Sequence, residues 1–423
     1  MQILWLSHVV PYPPKAGVLL RAYYLLKSVA EHHSVDLVAF VQRPLIETYY
    51  PTLDEGLSDC RRTLERFCRS VTFLPIATME RPFGKTRTAL AGLLFKDCYM
   101  ARWLCSDAGI QVLLRLAEEH HYDLAHYDVI SLAPYQKLLQ KVPATLGYHN
   151  IESHMLLRRA EKDRNFLRKL YFWQEGKRLA RYERRIANQF AGHITCSELD
   201  SRRLRQLIPD LNPVCIPNGV DVGYFSPLHG RSKRHSLIFV GTLTWYPNVD
   251  AVLFLLRDIW PAIKKRVPDV TLDIIGTGAP LSVVELARQR EGVTVHGFVS
   301  DIRPLVDAAA IFVCPIRDGG GTKLKVLDAF AMAKCVVAHP IACEGIDVTD
   351  GGDVVLAESG PEFAQRIASL LSDDERRIAI GAAARELVAS RYAFDAIGRR
   401  LEQYFCELGE AATSEERLHS CGT

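Results

Sequence analysis

The sequence predicts an α/β protein of two successive units, each a parallel sheet covered by helices. Three observations carry this: short apolar runs alternate with helical segments, the alternation breaks once in a stretch dense in proline and glycine, and it then starts again. Runs at 3–6, 35–41, 71–76, 124–126, 144–148 and 193–196 have the length and content of buried parallel strands, with helices such as 19–31 and 110–119 between them. Pro209, Pro213, Pro217, Gly219, Gly223, Pro227 and Gly230 then crowd together, which is the texture of an interdomain linker. Strand-like runs resume at 237–240, 270–275, 293–296, 311–315, 335–338 and 354–356. Residues 360–408 read as helical, and the tail at 409–423 is polar. The expected organisation is a first Rossmann-like domain at 1–212, a linker at 213–235 and a second such domain at 236–391, facing each other across a cleft.

Bulk properties agree with that class. A chain of 423 residues is too long for one ordinary core, and 48% hydrophobic with 24% charged residues is a soluble globular composition. A formal net charge of +3 gives no whole-molecule attraction to nucleic acid. Eleven cysteines are scattered without a CxxC pair, as free thiols of a reducing compartment are. The opening Met1-Gln-Ile-Leu-Trp-Leu-Ser-His lacks a basic leader and runs into Pro11, Pro13 and Pro14, so it reads as a first strand and not as a signal peptide. No run of about 18 apolar residues exists, and the expected location is cytoplasmic, at most at the inner face of the cytoplasmic membrane.

Between Leu156 and Phe190 eleven basic residues face only four acidic ones, with Leu167, Leu170, Tyr171 and Trp173 interleaved. A long amphipathic helix is expected there. It serves either as a solvated face packed on the first domain or as a surface for anionic lipid or a phosphate-bearing acceptor.

The strongest local signal is Cys314-Pro-Ile-Arg-Asp-Gly-Gly-Gly-Thr-Lys-Leu-Lys-Val-Leu-Asp-Ala-Phe-Ala. A strand ends near Pro315, Gly319, Gly320 and Gly321 follow, and a helix is expected to begin near Thr322. Successive glycines let a backbone approach a ligand, and a helix N-terminus offers unpaired N–H groups and a positive dipole end. Lys323 in the first turn opposes that dipole, which makes sense when an anion lies between them. Asp328 follows on the same helix, where a carboxylate can take two sugar hydroxyls. The glycine-to-lysine spacing is not that of a Walker loop.

This loop, with Asn218-Gly-Val-Asp, Phe239-Val-Gly-Thr-Leu, Ile275-Gly-Thr-Gly and His296-Gly-Phe-Val-Ser-Asp-Ile-Arg, resembles the family 4 glycosyltransferases, retaining enzymes of the GT-B fold. The motifs occur in the family's order, from Ile3 to about Tyr404. The opening Pro11-Tyr-Pro-Pro-Lys-Ala-Gly-Val-Leu-Leu-Arg is similar to that of bacterial exopolysaccharide and cell-surface sugar transferases. The resemblance implies that the 392–408 helix crosses back to the first domain. It implies that Gly17, at the start of the first helix, and residues 319–322 bind the donor diphosphate. Lys323 would pair with that diphosphate and stabilise the leaving charge, His149 would face the donor sugar, and Asp328 would hold the ribose, with Gly241 and Val299 also lining the nucleotide. Gly320 stands where relatives carry a first Glu and Asp328 where they carry a second, and the Arg or Lys often found after Gly241 is missing. That leaves donor-sugar hydroxyls to backbone N–H groups and to Asp318.

The expected reaction moves a sugar, with retention, from a nucleoside diphosphate (UDP favoured) to a hydroxyl of a glycan or lipid-linked glycan. No side chain near the motifs is an obvious covalent nucleophile. A front-face displacement fits, in which the leaving diphosphate helps remove the acceptor proton. It needs no metal or cofactor, and the histidine spacings offer no ligand set. A nucleotide-sugar epimerase and an inactive GT-B scaffold are the alternatives. A dehydrogenase is disfavoured because the first strand leads into Ser7-His-Val-Val and not GxGxxG. Nucleic-acid binding lacks a recognised module.

Overall fold

The computed structural model describes residues 1–15, 17–76, 98–163, 165–228, 230, 232–319 and 321–420, with the backbone alone at 162 and 412–420. The chain divides into two compact units. One is Met1–Pro217 together with the chain from Ile397 onward, and the other is Asn218–Ala396.

The first unit holds strands β1 (Gln2–Ser7), β2 (Ser34–Val41), β3 (Ser70–Pro75), β4 (Leu124–Tyr127), β5 (Ala144–Tyr148), β6 (Gly192–Thr195) and β7 (Val214–Cys215). Its helices include α1 (Gly17–Ala30), α2 (Leu53–Leu64), α3 (Asp107–Glu119), α4 (Glu152–Lys162), α5 (Phe166–Ala187) and α6 (Glu198–Leu207). The strands form one seven-stranded sheet in the order β3-β2-β1-β4-β5-β6-β7, and every pairing is parallel. Alternation along the strands feeds two cores. Leu4 and Leu6 of β1 and Val38 and Phe40 of β2 enter one, while Ile3, Trp5, Val35, Leu37 and Ala39 enter the other.

The second unit repeats the plan with β8 (Ser236–Val240), α7 (Tyr246–Phe254), α8 (Trp260–Arg266), β9 (Thr271–Ile275), α9 (Leu281–Arg288), β10 (Val293–Gly297), α10 (Arg303–Ala308), β11 (Ile311–Cys314), α11 (Leu324–Ala331), β12 (Cys335–Ala338), β13 (Val355–Leu356), α12 (Gly360–Leu371) and α13 (Asp374–Arg391). Its six strands run β10-β9-β8-β11-β12-β13, again all parallel. A final helix α14 (Phe394–Ser420) leaves this unit and belongs to the first from Ile397 on. There Ile397, Leu401 and Phe405 are buried in the core beside Trp5, whose ring centre is 6.2 Å from that of Phe405. The ten described cysteines are free, and no described helix is long and apolar enough to cross a membrane.

Four expectations need correction. Val214 and Cys215, read as linker, pair with β6 as a seventh strand, and Pro217 is the last residue of that unit before the chain passes to the second. The basic segment is two helices and not one: the chain breaks at 163–165, where Asp163 accepts from the Asn165 N–H at 2.9 Å and Asn165 caps α5 by accepting from Arg168 N at 3.1 Å. The two helices can pack closely because Gly176 has no Cβ, which would come within 2.9 Å of Leu157 Cγ. The last helix starts at Phe394 because Ala393 is still bridged to Val220, with the Val220 N–H donating to Tyr392 O at 2.9 Å. It then continues to Ser420 instead of giving way to a polar tail at 409. Finally, α11 begins at Leu324 with Lys323 as its N-cap, so Thr322 lies outside the helix.

Removing the Phe405 ring tests how far the returning helix stabilises the first unit. Phe405→Ala should lower unfolding free energy by about 3–5 kcal/mol in urea titration, the usual cost of emptying a buried aromatic site.

Candidate functional site

In both sheets the strand order reverses beside the first strand of the unit, between β1 and β4 and between β8 and β11. Loops leaving the C-terminal ends of strands at such a reversal diverge and leave a crevice, which is where open α/β sheets bind ligands. Several of the candidate residues lie on or beside those loops, while His149 follows β5, next to β4, and Val299 follows β10.

In the first unit, Ser7 ends β1 and His8 follows it, Asp128 follows β4, and His149 follows β5. The Asp128 carboxylate is buried and lies between the two rings. His8 Nδ1 is 2.8 Å from Asp128 Oδ2, His149 Nε2 is 2.9 Å from Asp128 Oδ1, and the Ser7 hydroxyl donates to Oδ2 at 3.4 Å. The rings meet edge to face with centres 5.2 Å apart. Burial would raise the Asp128 pKa, yet the neighbouring His149 and His8 hold it well below the usual carboxylate range. Burial lowers His149, against the pull of Asp128. Beneath them His126 on β4, bonded to Thr145 Oγ1 at 2.9 Å, is pushed down to about 4 by burial and is neutral. Gly17 is the first residue of α1. On that helix the buried Arg21 donates to the Pro217 carbonyl at 2.9 Å.

In the second unit the β11–α11 loop carries the predicted glycines. Gly319 and Gly321 have φ of +104° and +71°, left-handed conformations that glycine adopts without steric cost, and Gly320 lies outside the described residues. Lys323 is only 4% exposed, and its ammonium donates to Gly319 O at 3.0 Å and Gly321 O at 2.8 Å. Thr322 Oγ1 is buried without a hydrogen-bond partner, and no side chain caps α11. Asp318 accepts from the Tyr246 hydroxyl at 3.1 Å and from Gly319 N at 2.8 Å, so it braces the loop.

Lys325, two residues beyond Lys323 and in the first turn of α11, donates to Asn248 Oδ1 at 2.6 Å and lies 5.0 Å from the centre of the Phe239 ring. Among the described residues no carboxylate forms an ion pair with it, and burial pushes its ammonium down to about 8. Gly241 makes room for it, since a Cβ there would fall 2.4 Å from Lys325 Nζ. Burial likewise pushes Asp328 up to about 7, and its carboxylate takes no hydrogen bond from a described residue. Gly241, Gly319, Lys323 and Asp328 are thus gathered around one strand end, whereas Val299 lies past β10, two strands from β8 and packed against the core.

Sequence reasoning missed His8, Asp128 and Asn248. His8 and Asp128 were detectable only as polar residues directly after two strands that the reversal makes neighbours. The expectation that the histidines offer no ligand set also needs correction. His8, Asp128 and His149 place their ligand atoms within 4.8 Å of one another, a spacing that one metal ion could bridge. Both carboxylate oxygens, however, already take imidazole hydrogens that a cation would have to displace.

This architecture is that of the GT-B glycosyltransferases. A glycosyltransferase from Rickettsia africae superposes with a TM-score of 0.65 at 14% identity, over 96% of this chain and 98% of that one. Anabaena HepE in complex with UDP and glucose gives 0.63 at 16%, over 96% and 100%. The Glycosyltransferase Family 4 model matches residues 92–224, and the Glycosyl transferases group 1 model matches 234–373. A 44.6 kDa protein in the cps region of Klebsiella pneumoniae is 25% identical over 382 residues, 86% of this chain and 90% of that protein. A GDP-mannose-dependent α-(1-6)-phosphatidylinositol monomannoside mannosyltransferase of Mycobacterium tuberculosis is 28% identical over 213 residues, 45% of this chain and 54% of the relative. The chain belongs to glycosyltransferase family 4, and it is a glycosyltransferase of the GT-B type.

The backbone at the donor-side crevice leaves no room for a side chain at Gly276, where a Cβ would fall 2.0 Å from the Gly241 carbonyl oxygen. Gly276→Ala should destabilise the chain by about 1–3 kcal/mol, the range for forced overpacking. Urea denaturation of the variant beside the parent measures it.

Proposed function

We propose that the protein transfers a hexosyl group from a nucleoside-diphosphate sugar to a hydroxyl of a glycan or lipid-linked glycan, with retention of anomeric configuration. The observation that carries this reading is the cationic end of α11. Lys325 is a largely enclosed ammonium that forms no ion pair with a carboxylate among the described residues and feels the Asp328 charge only at longer range, beside an uncapped helix N-terminus and a loop of positive-φ glycines. A buried cation is costly unless an anion joins it, and a diphosphate supplies that anion while taking N–H groups from the helix end. Lys325 also reaches Gly241, the place after β8 where relatives carry a cation in sequence, so it supplies from α11 the charge missing there.

In this scheme Lys323 turns from its loop carbonyls to the diphosphate, and Lys323, Lys325 and the α11 terminus stabilise the leaving charge. Gly17 contributes its N–H at the start of α1. Asp328, whose carboxylate takes no hydrogen bond from a described residue, takes the ribose hydroxyls, Gly241 and Val299 line the nucleotide, and His149 faces the donor sugar. The leaving diphosphate accepts the acceptor proton, and no cofactor beyond the donor is required. UDP is favoured as the carrier because the Anabaena neighbour binds it, although the mycobacterial relative uses GDP-mannose. The cps-region relative supports a role in cell-envelope polysaccharide assembly, at the inner face of the cytoplasmic membrane.

A thermal-shift panel of UDP, GDP, ADP and NAD tests the reading. One nucleoside diphosphate at about 100 times its Kd should add roughly 2.7 kcal/mol, and Lys323→Ala and Lys325→Met should abolish the gain. Lys325 carries its proton below about 8 and loses it above. The gain should therefore shrink between pH 7 and 9 in the parent and stay flat in Lys325→Met. No response to any diphosphate, or a response to NAD alone, overturns the proposal.

Membrane contact through 156–190 is part of the same proposal. On α5 the side chains of Phe166, Leu167, Leu170 and Trp173 are 73%, 75%, 49% and 50% exposed and recur at helical spacing, with Arg168 and Lys169 exposed among them. An apolar stripe flanked by cations binds anionic bilayers. Vesicles containing phosphatidylglycerol should carry the protein upward in a density gradient at low salt. Replacing Leu167 and Leu170 by Glu should leave it at the bottom, and flotation indifferent to both changes would remove the stripe from the proposal.

A further inference from the structure

One cluster has a geometry that the donor loop does not explain: a single buried carboxylate shared by two imidazoles. Asp128 accepts from His8 Nδ1 at 2.8 Å with one oxygen and from His149 Nε2 at 2.9 Å with the other. An ionised carboxylate has no hydrogen to give, so both hydrogens belong to the rings. The three residues follow β1, β4 and β5: the first two strands flank the reversal of the sheet, and β5 is the next neighbour of β4.

We propose that Asp128 is the positioning residue of this site, fixing His8 and His149 in opposite tautomers so that His8 Nε2 and His149 Nδ1 accept hydrogens from sugar hydroxyls. The role toward sugar rests on the transferase reading; the tautomers do not. Among the described residues neither of those two nitrogens has a hydrogen-bond partner, and neither is sealed off from solvent. Both rings are partly open, 13% and 17% exposed, while the carboxylate between them is 7% exposed. A carboxylate serving the fold alone would be surrounded by donors with no further task. Here each donor is half of a ring whose other half is uncommitted. This is how a carboxylate holds a working imidazole in one tautomer and one orientation. The charges around His149 are burial and Arg21 on α1, which oppose its protonation, and Asp128, which favours it; the nearby His126 on β4 is neutral, and Glu152 at the start of α4, raised by burial, lies on the His8 side.

His8 on Nδ1 is the diagnostic state, because an unconstrained histidine prefers its hydrogen on Nε2. The full chain, labelled with ¹⁵N-histidine, would be examined at pH 7.5 by long-range ¹H–¹⁵N correlation, with His8→Gln and His149→Gln for assignment. The expected result is His8 protonated on Nδ1 and His149 on Nε2. In Asp128→Asn one ring should reverse, since an amide accepts with one atom only, while the backbone amide spectrum stays that of the parent. If Asp128→Asn does not fold, His149→Gln decides the matter: His8 should stay on Nδ1 there, and a change to Nε2 overturns the proposal.

The link to the sugar is read by adding UDP-glucose and GDP-mannose, each against its free diphosphate. One sugar nucleotide should move His8 Nε2 and His149 Nδ1 where the matching diphosphate does not. Nε2–H on both rings of the parent, or tautomers unchanged in Asp128→Asn, overturns the proposal. Loss of both N–H groups on adding one equivalent of Zn²⁺ also overturns it, in favour of a metal site. Opposite tautomers with no sugar-specific shift, in a protein that a free diphosphate still stabilises, overturn the sugar role while leaving the transferase reading intact. Opposite tautomers in a protein that no diphosphate stabilises instead bring down the transferase reading.

Discussion

Everything functional in this protein depends on where the strand order reverses in a parallel sheet. A right-handed crossover places its helix on one face, and the next crossover from the same strand in the other direction places its helix on the opposite face. The loops that leave β1 and β4 must therefore part, and so must those that leave β8 and β11. A parted loop exposes backbone N–H groups and lets polar side chains stand at the end of an apolar strand without being buried in the core. His8 and Asp128 in one unit, with His149 beside them on the end of β5, and Gly241 and Lys323 in the other, with Lys325 just inside α11, are the residues the chain has put there.

The two crevices use that opening in opposite electrostatic senses. The first unit concentrates one negative charge, Asp128, and offsets it mainly through imidazole hydrogens, with the Ser7 hydroxyl beside them. The second concentrates positive charge, with two lysines at a helix end that already carries a partial positive dipole. Each arrangement is unfavourable for the protein alone: burial pushes Lys325 down and Asp328 up, so both groups of the second unit are poised near neutrality. A ligand bearing a diphosphate and a ribose reverses both penalties at once. Local rules of stability are broken where a ligand is needed to satisfy them.

What the sequence could and could not reveal follows from the range of the interactions involved. The strands of both sheets were legible because a buried parallel strand is a run of apolar residues, a property of neighbours in the chain. The Val214–Cys215 strand was not, since two residues make no run; it exists because β6 offers an unpaired edge. The break at 163–165 was hidden because charge composition is continuous across it, and only the Asn165 cap marks a new start. Gly319, Gly321 and Lys323 were legible from one contiguous motif. Lys325's place beside Gly241 and Asn248 was not, because it joins residues 77 positions apart. The same holds for Asp128, which meets His8 across 120 positions and His149 across 21.

That last contrast bears on how a site of this kind keeps its geometry. The α11 cluster is built mainly from one loop and one helix, so its shape is set locally, and Lys323 can exchange loop carbonyls for a ligand without disturbing the sheet. The Asp128 cluster spans three loops, each anchored on a different strand of one rigid sheet. A movement of any ring would require a change in strand register or a broken hydrogen bond to a buried anion, which typically costs several kcal/mol. On the proposed reading the fixed imidazoles would take the role that demands a constant orientation, recognition of directional hydroxyls, and the adjustable lysines the one that demands only charge at short range. The division follows from the different stiffness of a sheet edge and a glycine loop.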